Sequence, residues 1–285
     1  MSFAPTPLTF TLITFGISIV AGVLGSLLGL GGGIIVVPAL TLLLHVDIRF
    51  AIGASIVSVI ATSSGAAAAY VREHMTNLRV AMLLELGTTA GALTGAYLAD
   101  VVAGRWLFVI FGLVLGYSAV AMFRKRHDVS ASPDVVPHDR WADRLNLHGH
   151  YFDQAEDREI VYRVTHTKVG LALMYVAGVV SGLLGIGSGS LKVPAMDLAM
   201  RLPIKVSTAT SNFMIGVTAA ASAGVYFARG EINPFIAAPV AVGVLIGATG
   251  GSRLLGRLKG KTIRAAFVLV LLYVSVEMLL RGYHG

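Results

Sequence analysis

The sequence contains no cysteine, which excludes disulfides and thiolate metal sites and leaves the redox compartment open. Charge is scarce too. Asp, Glu, Lys and Arg make up 13% of the 285 residues, about half the ~25% usual in a soluble domain. Long stretches such as Pro7 to Leu44 and Ala51 to Val71 carry almost none. No basic segment precedes the first apolar run, which is also too long for a signal-peptide core, so no cleavage is expected. Catalytic signatures are absent as well. There is no hydrolase serine elbow and no HExxH, and the glycine-rich loops lack the Lys-Ser/Thr ending of a phosphate-binding loop. Neither an enzyme nor a cofactor is expected.

What is present is apolar: 55% hydrophobic residues and a mean hydropathy of +0.78, the composition of a chain that crosses a membrane many times. The formal charge of +7 is better explained by loop arginines beside a bilayer than by nucleic acid. Apolar segments run at 8–28, 34–45, 51–71, 79–101 and 105–123, and again at 168–185, 190–200, 206–228, 234–255 and 262–281.

The second set repeats the first. At a constant offset of 156 without gaps, Gly29, Gly31, Gly33, Pro38, Ser55, Thr62, Tyr70, Asn77, Gly87, Gly91 and Gly95 meet identical residues. One ungapped register over a hundred residues marks an internal duplication. Gly87, Gly91, Gly95 and their partners Gly243, Gly247 and Gly251 read as small residues at helix contacts.

The chain is organised around two glycine-rich breaks, Gly29 to Pro38 and Gly185 to Pro194. Glycine and proline are poor residues for a helix interior, so each break should unwind a helix and free backbone N–H groups. The segments 34–45 and 190–200 are only about 17 Å of helix where about 30 Å must be crossed. They read as half-helices. If each counts as a crossing, 17 lysines and arginines fall on one face of the membrane and only Arg49, Arg105, Arg229 and Arg281 on the other. Four crossings per half would divide them more evenly. The expectation is an all-α polytopic membrane protein of two inverted-topology repeats, each of about five helical segments. Residues 1–126 form the first repeat, 127–166 a cytoplasmic connector and 167–285 the second repeat. Both termini are expected outside.

The connector is the only sizeable polar piece. His148 to Phe152 and Ile160 to Val164 alternate as a short hairpin closed by Asp153 to Glu159. His148 and His150 lack a third ligand nearby, so a solvated connector is favoured over a metal site.

Paired half-helices with N-termini facing the membrane centre suit an anion. Lys192, inside the second break where the first half has Val36, adds a buried cation. The alternative is that it snorkels to an interface or neutralises Asp197 or Glu85. The candidate substrate site comprises Gly31, Gly32, Gly33 and Ser55 from the first half, and Gly187, Ser188, Gly189, Ser190, Lys192, Ser211 and Asn212 from the second. Asn212 replaces Ile56 of the first half. Some neighbouring hydroxyls will instead bond the carbonyl one turn back in their own helix. Glu85, within the 79–101 segment and without a local partner, suits proton coupling and an interhelical bond equally.

Two copies of Gly-x-Gly-x-Gly followed by Pro, each opening a helical half, resemble the TauE/SafE family of sulfite exporters and sulfonate permeases. The run Ser181 to Pro194 is especially similar, departing from an all-glycine form at Ser188. The resemblance covers nearly the whole chain. It implies an inner-membrane carrier of small sulfur-containing or related organic anions. With no ATP-binding module in the sequence, the driving force is expected from an ion gradient (H+ or Na+) or from the substrate's own. A channel-like anion pore and a membrane-embedded partner-binding or sensor protein are the competing readings.

Overall fold

The computed structural model describes residues 7–72, 75–124, 138–185, 187–255, 257–258 and 260–284. The boundary expected at 126/127 and Ile186 of the second break lie outside these. The first half comprises α1 (Pro7–Leu28), α2 (Gly33–Pro38), α3 (Ile48–Arg72), α4 (Leu78–Leu98) and α5 (Gly104–Arg124). The connector holds α6 (Arg140–Arg144) and the strands β1 (Gly149–Asp153) and β2 (Arg158–Tyr162). The second half is α7 (Thr167–Leu184), α8 (Gly189–Pro194), α9 (Ile204–Ala228), α10 (Pro234–Leu255) and α11 (Gly260–His284). This is an all-α membrane protein. Four of the described helices, α1, α3, α7 and α10, are long and apolar enough to cross a bilayer.

The offset of 156 carries over to the elements. α2 and α8 match residue for residue, as do α3 and α9. Each half-helix continues past its proline in a wider π-turn, Ala39–Leu43 in one and Ala195–Ala199 in the other. Proline has no N–H to give the ladder, and a π register is a common local adjustment where an α-helix is disturbed. The two half-helices each end after 11 residues.

The halves interlock rather than sit side by side. α1 packs along α10, and in the same way α7 packs along α4. Small residues permit this. A Cβ on Gly91 would strike the carbonyl oxygen of Tyr175, and one on its mate Gly247 the carbonyl oxygen of Ile19, so both helix pairs touch backbone to backbone.

The equivalent helices α3 and α9 cross at the centre and run antiparallel. Gly53, near the start of α3, abuts Glu231 just beyond α9. Ser63 donates to the Phe213 carbonyl at 3.4 Å, and the N–H of Asn77, just beyond α3, donates to Thr210 near the start of α9 at 3.1 Å. α5 and α11 are antiparallel too. Arg105 Nε donates to the Gly282 carbonyl at 3.1 Å, and Ser275 Oγ to the Gly112 carbonyl at 2.7 Å.

The connector caps one end of the bundle and grips both halves. Asn77 Nδ2 donates to the Leu147 carbonyl at 2.8 Å and to the Tyr162 hydroxyl at 3.0 Å, and Arg79 donates to the Asn146 carbonyl at 2.9 Å. From the second half, Lys205 Nζ lies 2.7 Å from Asp153 Oδ1, with both side chains almost fully buried. Asp153 Oδ1 also accepts the N–H groups of Ala155 and Glu156 at 2.9 and 3.3 Å, so this buried pair is well satisfied. The strands pair antiparallel, Gly149 opposite Tyr162 and Asp153 opposite Arg158. The hairpin expected from alternation is present, with its turn tightened to four residues because Asp153 caps it. His148 lies between Asp143 Oδ1, 2.8 Å from its Nε2, and the Val164 N–H, which donates to Nδ1 at 3.0 Å. Among the described residues no group of three ligands able to hold a metal ion occurs.

Candidate substrate site at the two glycine breaks

Both breaks turn on glycines in the left-handed region. Gly29 and Gly31 have φ of 68° and 70°, and Gly185 and Gly187 have φ of 65° and 74°. A side chain at these positions would be strained, which is why the sequence places glycine there twice. The two breaks converge on Val59 of α3 and its mate Ile215 of α9, which stand against both Gly31 and Gly187. Gly189 rests directly on the carbonyl of Gly29.

Each break is held by the other half. Ser211 Oγ donates to the Gly29 carbonyl at 2.7 Å, and its mate Ser55 Oγ donates to the Gly185 carbonyl at 2.7 Å. Within each half a buried tyrosine secures the last turn before the break. Tyr70 donates to the Ser26 carbonyl at 3.0 Å, and Tyr226 to the Gly182 carbonyl at 2.7 Å. These four bonds satisfy carbonyls freed at helix ends, which unwound backbone in a membrane requires.

The symmetry ends at the next residues. In the first break Gly32 is helical, with φ −60°, and its N–H donates to Thr62 Oγ1 at 3.0 Å. In the second, the matching Ser188 is left-handed, with φ 55°. Thr218, the mate of Thr62, turns elsewhere. Its Oγ1 accepts from Lys192 Nζ at 2.5 Å and lies 2.6 Å from Glu85 Oε1. Lys192 Nζ is 3.5 Å from Glu85 Oε2; the lysine side chain is fully buried and that of Glu85 is 13% exposed. Glu85 Oε1 also accepts from Thr89 at 3.1 Å. The first half has Val36 and the second half Ala241 where this cluster has Lys192 and Glu85.

Of the residues singled out from sequence, Gly31, Gly32 and Gly33 form the first break and the opening of α2, and Gly187, Ser188, Gly189 and Ser190 the second break and the opening of α8. Ser55 and Ser211 are engaged with the opposite breaks. Asn212 Nδ2 donates to the Ser26 carbonyl at 2.6 Å, while its Oδ1 is buried without a partner among the described residues. Ser188 Oγ and Ser190 Oγ are likewise unpartnered, and Glu85 Oε2 accepts no hydrogen bond among the described residues. Ser188 Oγ and Ser190 Oγ belong to the second break itself, whereas Asn212 stands against the turn before the first and Glu85 Oε2 has the Lys192 ammonium 3.5 Å away. Buried polar atoms are seldom left unpaired without a functional or solvent explanation.

Thr218, Tyr70 and Tyr226 were not among the sequence candidates. Their signal was in the repeat, as polar or hydroxyl-bearing residues kept in register at 62 and 218 and at 70 and 226. Cavities of 520 Å³, between α5, α7 and α8, and 840 Å³, beside α6, include none of Lys192, Glu85 or Thr218 in their lining.

Interlocked helical halves, two unwound breaks held by protein groups and a buried ion pair beside one of them define a multi-pass membrane protein of the transporter class. The family model described as sulfite exporter TauE/SafE matches residues 14–278, and the chain belongs to that family. It is 29% identical over 273 residues to the "probable membrane transporter protein YunE" of Bacillus subtilis (strain 168), covering 93% of this chain and 96% of the relative. It is 26% identical over 275 residues to a "probable membrane transporter protein" of Xylella fastidiosa (strain 9a5c), covering 95% and 96%. No solved structure gives a significant match.

Proposed function

We infer that this chain is a secondary transporter that carries a small oxyanion, such as sulfite, an organosulfonate or a related organic anion, across the cytoplasmic membrane. The observation that carries this reading is Lys192, a cation wholly buried inside the second break. A buried ammonium needs a compensating charge, and Glu85, its neighbour in this conformation, stands 3.5 Å away and is joined to it through Thr218. The anion binds between Gly31 to Gly33 and Gly187 to Gly189, with Lys192 as its counter-charge. The unpartnered hydroxyls of Ser188 and Ser190 and the backbone N–H groups opening α8 supply hydrogen bonds.

The two halves act as inverted repeats, which the antiparallel crossing of equivalent helices supports. The connector faces the cytoplasm, the side on which most lysines and arginines gather, and the termini face outward. In this reading Val59 and Ile215, which stand against both breaks, close over the site. Rocking of one half against the other opens it to each side in turn.

Counterflow tests the reading. Proteoliposomes loaded with unlabelled sulfite or methanesulfonate should accelerate the entry of the labelled anion, and entry should saturate. Entry that rises linearly with concentration and shows no counterflow would favour an open pore and contradict a carrier.

A further inference from the structure

The ion pair inside the second break has an unusual form. Lys192 Nζ stands 3.5 Å from Glu85 Oε2, beyond the ~2.7–2.9 Å of a charge-assisted hydrogen bond. Its hydrogen bond goes to the Thr218 hydroxyl at 2.5 Å instead. The pair is therefore bridged through Thr218, and Glu85 Oε2 is left without a hydrogen-bond donor among the described residues. The buried Lys205–Asp153 pair at the bundle's end closes directly at 2.7 Å and is saturated by further N–H groups. Of these two pairs only the bridged one lies beside a break, and neither of its charges is repeated: Lys192 matches Val36 of the first half and Glu85 matches Ala241 of the second.

We propose that Glu85 occupies the substrate's place as the counter-ion of Lys192, so that a monovalent anion can enter only together with a proton that neutralises Glu85. This rests on the anion site described above and adds its coupling. The argument is charge balance in a medium of low dielectric. With Lys192 and Glu85 both ionised, the buried cluster is neutral. An entering monoanion would leave one negative charge uncompensated in surroundings that solvate it poorly. If a proton from water binds Glu85 Oε2, the carboxyl becomes neutral, Thr218 still bridges, and the Lys192 ammonium passes to the anion. The cluster is neutral again. Release on the other side reverses both events, so one proton moves with each monoanion and no net charge crosses.

The other charged groups on the elements packed against this cluster have contacts of their own. α7 brings Lys168 and Tyr175 toward α4; the first lies at the connector end over the Trp141 ring, and the second meets Thr94. α9 brings Lys205, held by Asp153, and Tyr226, bonded to Gly182, and Arg229 follows it with a bond to the Ala96 carbonyl. α8 brings Lys192, and Asp197 lies in the π-turn that follows. Among the described residues, Lys192 and the hydroxyls of Thr218 and Thr89 are the groups that meet the Glu85 carboxylate.

Calorimetry of methanesulfonate binding to the purified full-length protein tests this, because that anion does not itself titrate near neutral pH. Heats measured in two buffers of different protonation enthalpy give the protons taken up on binding. The expected result is about one proton per anion in the wild type and about none in Glu85→Gln, which should still bind and lose its dependence on pH. Binding by the wild type with no proton uptake overturns the proposal and leaves the anion site standing. Absence of any binding, in wild type and variant alike, instead overturns the anion site, and this coupling with it. Since the wild-type measurement decides alone, a poorly folding variant does not blunt the test.

Discussion

The two glycine breaks are built alike and filled differently. Both turn on paired left-handed glycines, both are closed by a serine from the opposite half, and both follow a helix turn secured by a tyrosine. The first is then finished by ordinary capping, with Thr62 accepting the Gly32 N–H. The second gives up that cap, places Ser188 in the left-handed region and directs Thr218 to a buried ion pair. The matching parts of the two breaks form one scaffold, each closed by a serine from the opposite half. Polar chemistry was concentrated in one of them, where the first copy keeps apolar Val36 and capped backbone.

The comparison breaks most severely at the ion pair. Lys192→Met leaves Glu85 buried without its cation, and its stability should fall by about 3–5 kcal/mol. Adding Glu85→Gln should restore most of that loss, because the pair is then absent rather than broken. A denaturation series over the two single variants and the double variant measures the coupling. Val36→Met, at the matching buried position of the first half, only adds volume and should cost less, about 1–3 kcal/mol.

Scaffold positions should instead behave as twins. Gly91→Val and Gly247→Val each drive a side chain into a facing backbone, and each should cost about 3 kcal/mol or prevent assembly. Equal losses in thermal stability would mark the halves as structurally equivalent; a large loss at only one site would show that one interface dominates.

A smaller and more telling contrast lies between the two threonines. Thr62→Val removes a cap and should lower stability by about 1–2 kcal/mol with little change in anion affinity. Thr218→Val removes the bridge between Lys192 and Glu85, so its main effect should fall on affinity for methanesulfonate and on the dependence of that affinity on pH. Titrations at two pH values separate these effects.

Much of this was legible in the sequence because the repeat is ungapped. The offset of 156 places α2 on α8 and α3 on α9 residue for residue, and the glycine pattern marks both breaks and the backbone contacts of α1 with α10 and α4 with α7. Lys192 stood out as a charge in an apolar run. Its partner was legible only as one of two alternatives, Asp197 or Glu85, since Glu85 lies on a distant helix and the interlocking of the halves is what brings it to Lys192. The serines were recognisable as polar groups near the centre. Their assignment to carbonyls of the opposite break depends on how α3 and α9 cross, which local pattern does not encode. Thr218 was hidden by its own repetition, because the same residue in the first half does ordinary capping. The connector's hairpin was visible from alternation, whereas its anchor, Lys205 on Asp153, joins residues with no sequence relation.

The central claim is that the second break, through Lys192, holds the substrate anion. Its most direct test is thermal stabilisation of the purified protein by sulfite, sulfate, thiosulfate, taurine, methanesulfonate and acetate, in the wild type and in the doubly neutral Lys192→Met/Glu85→Gln variant. A ligand that binds only the native state raises its melting temperature, with about 2.7 kcal/mol of stabilisation at a hundred times Kd. The account predicts a selective shift with one or a few of these anions in the wild type and none in the variant. An equal shift in both proteins would contradict it, as would a wild type that no anion stabilises.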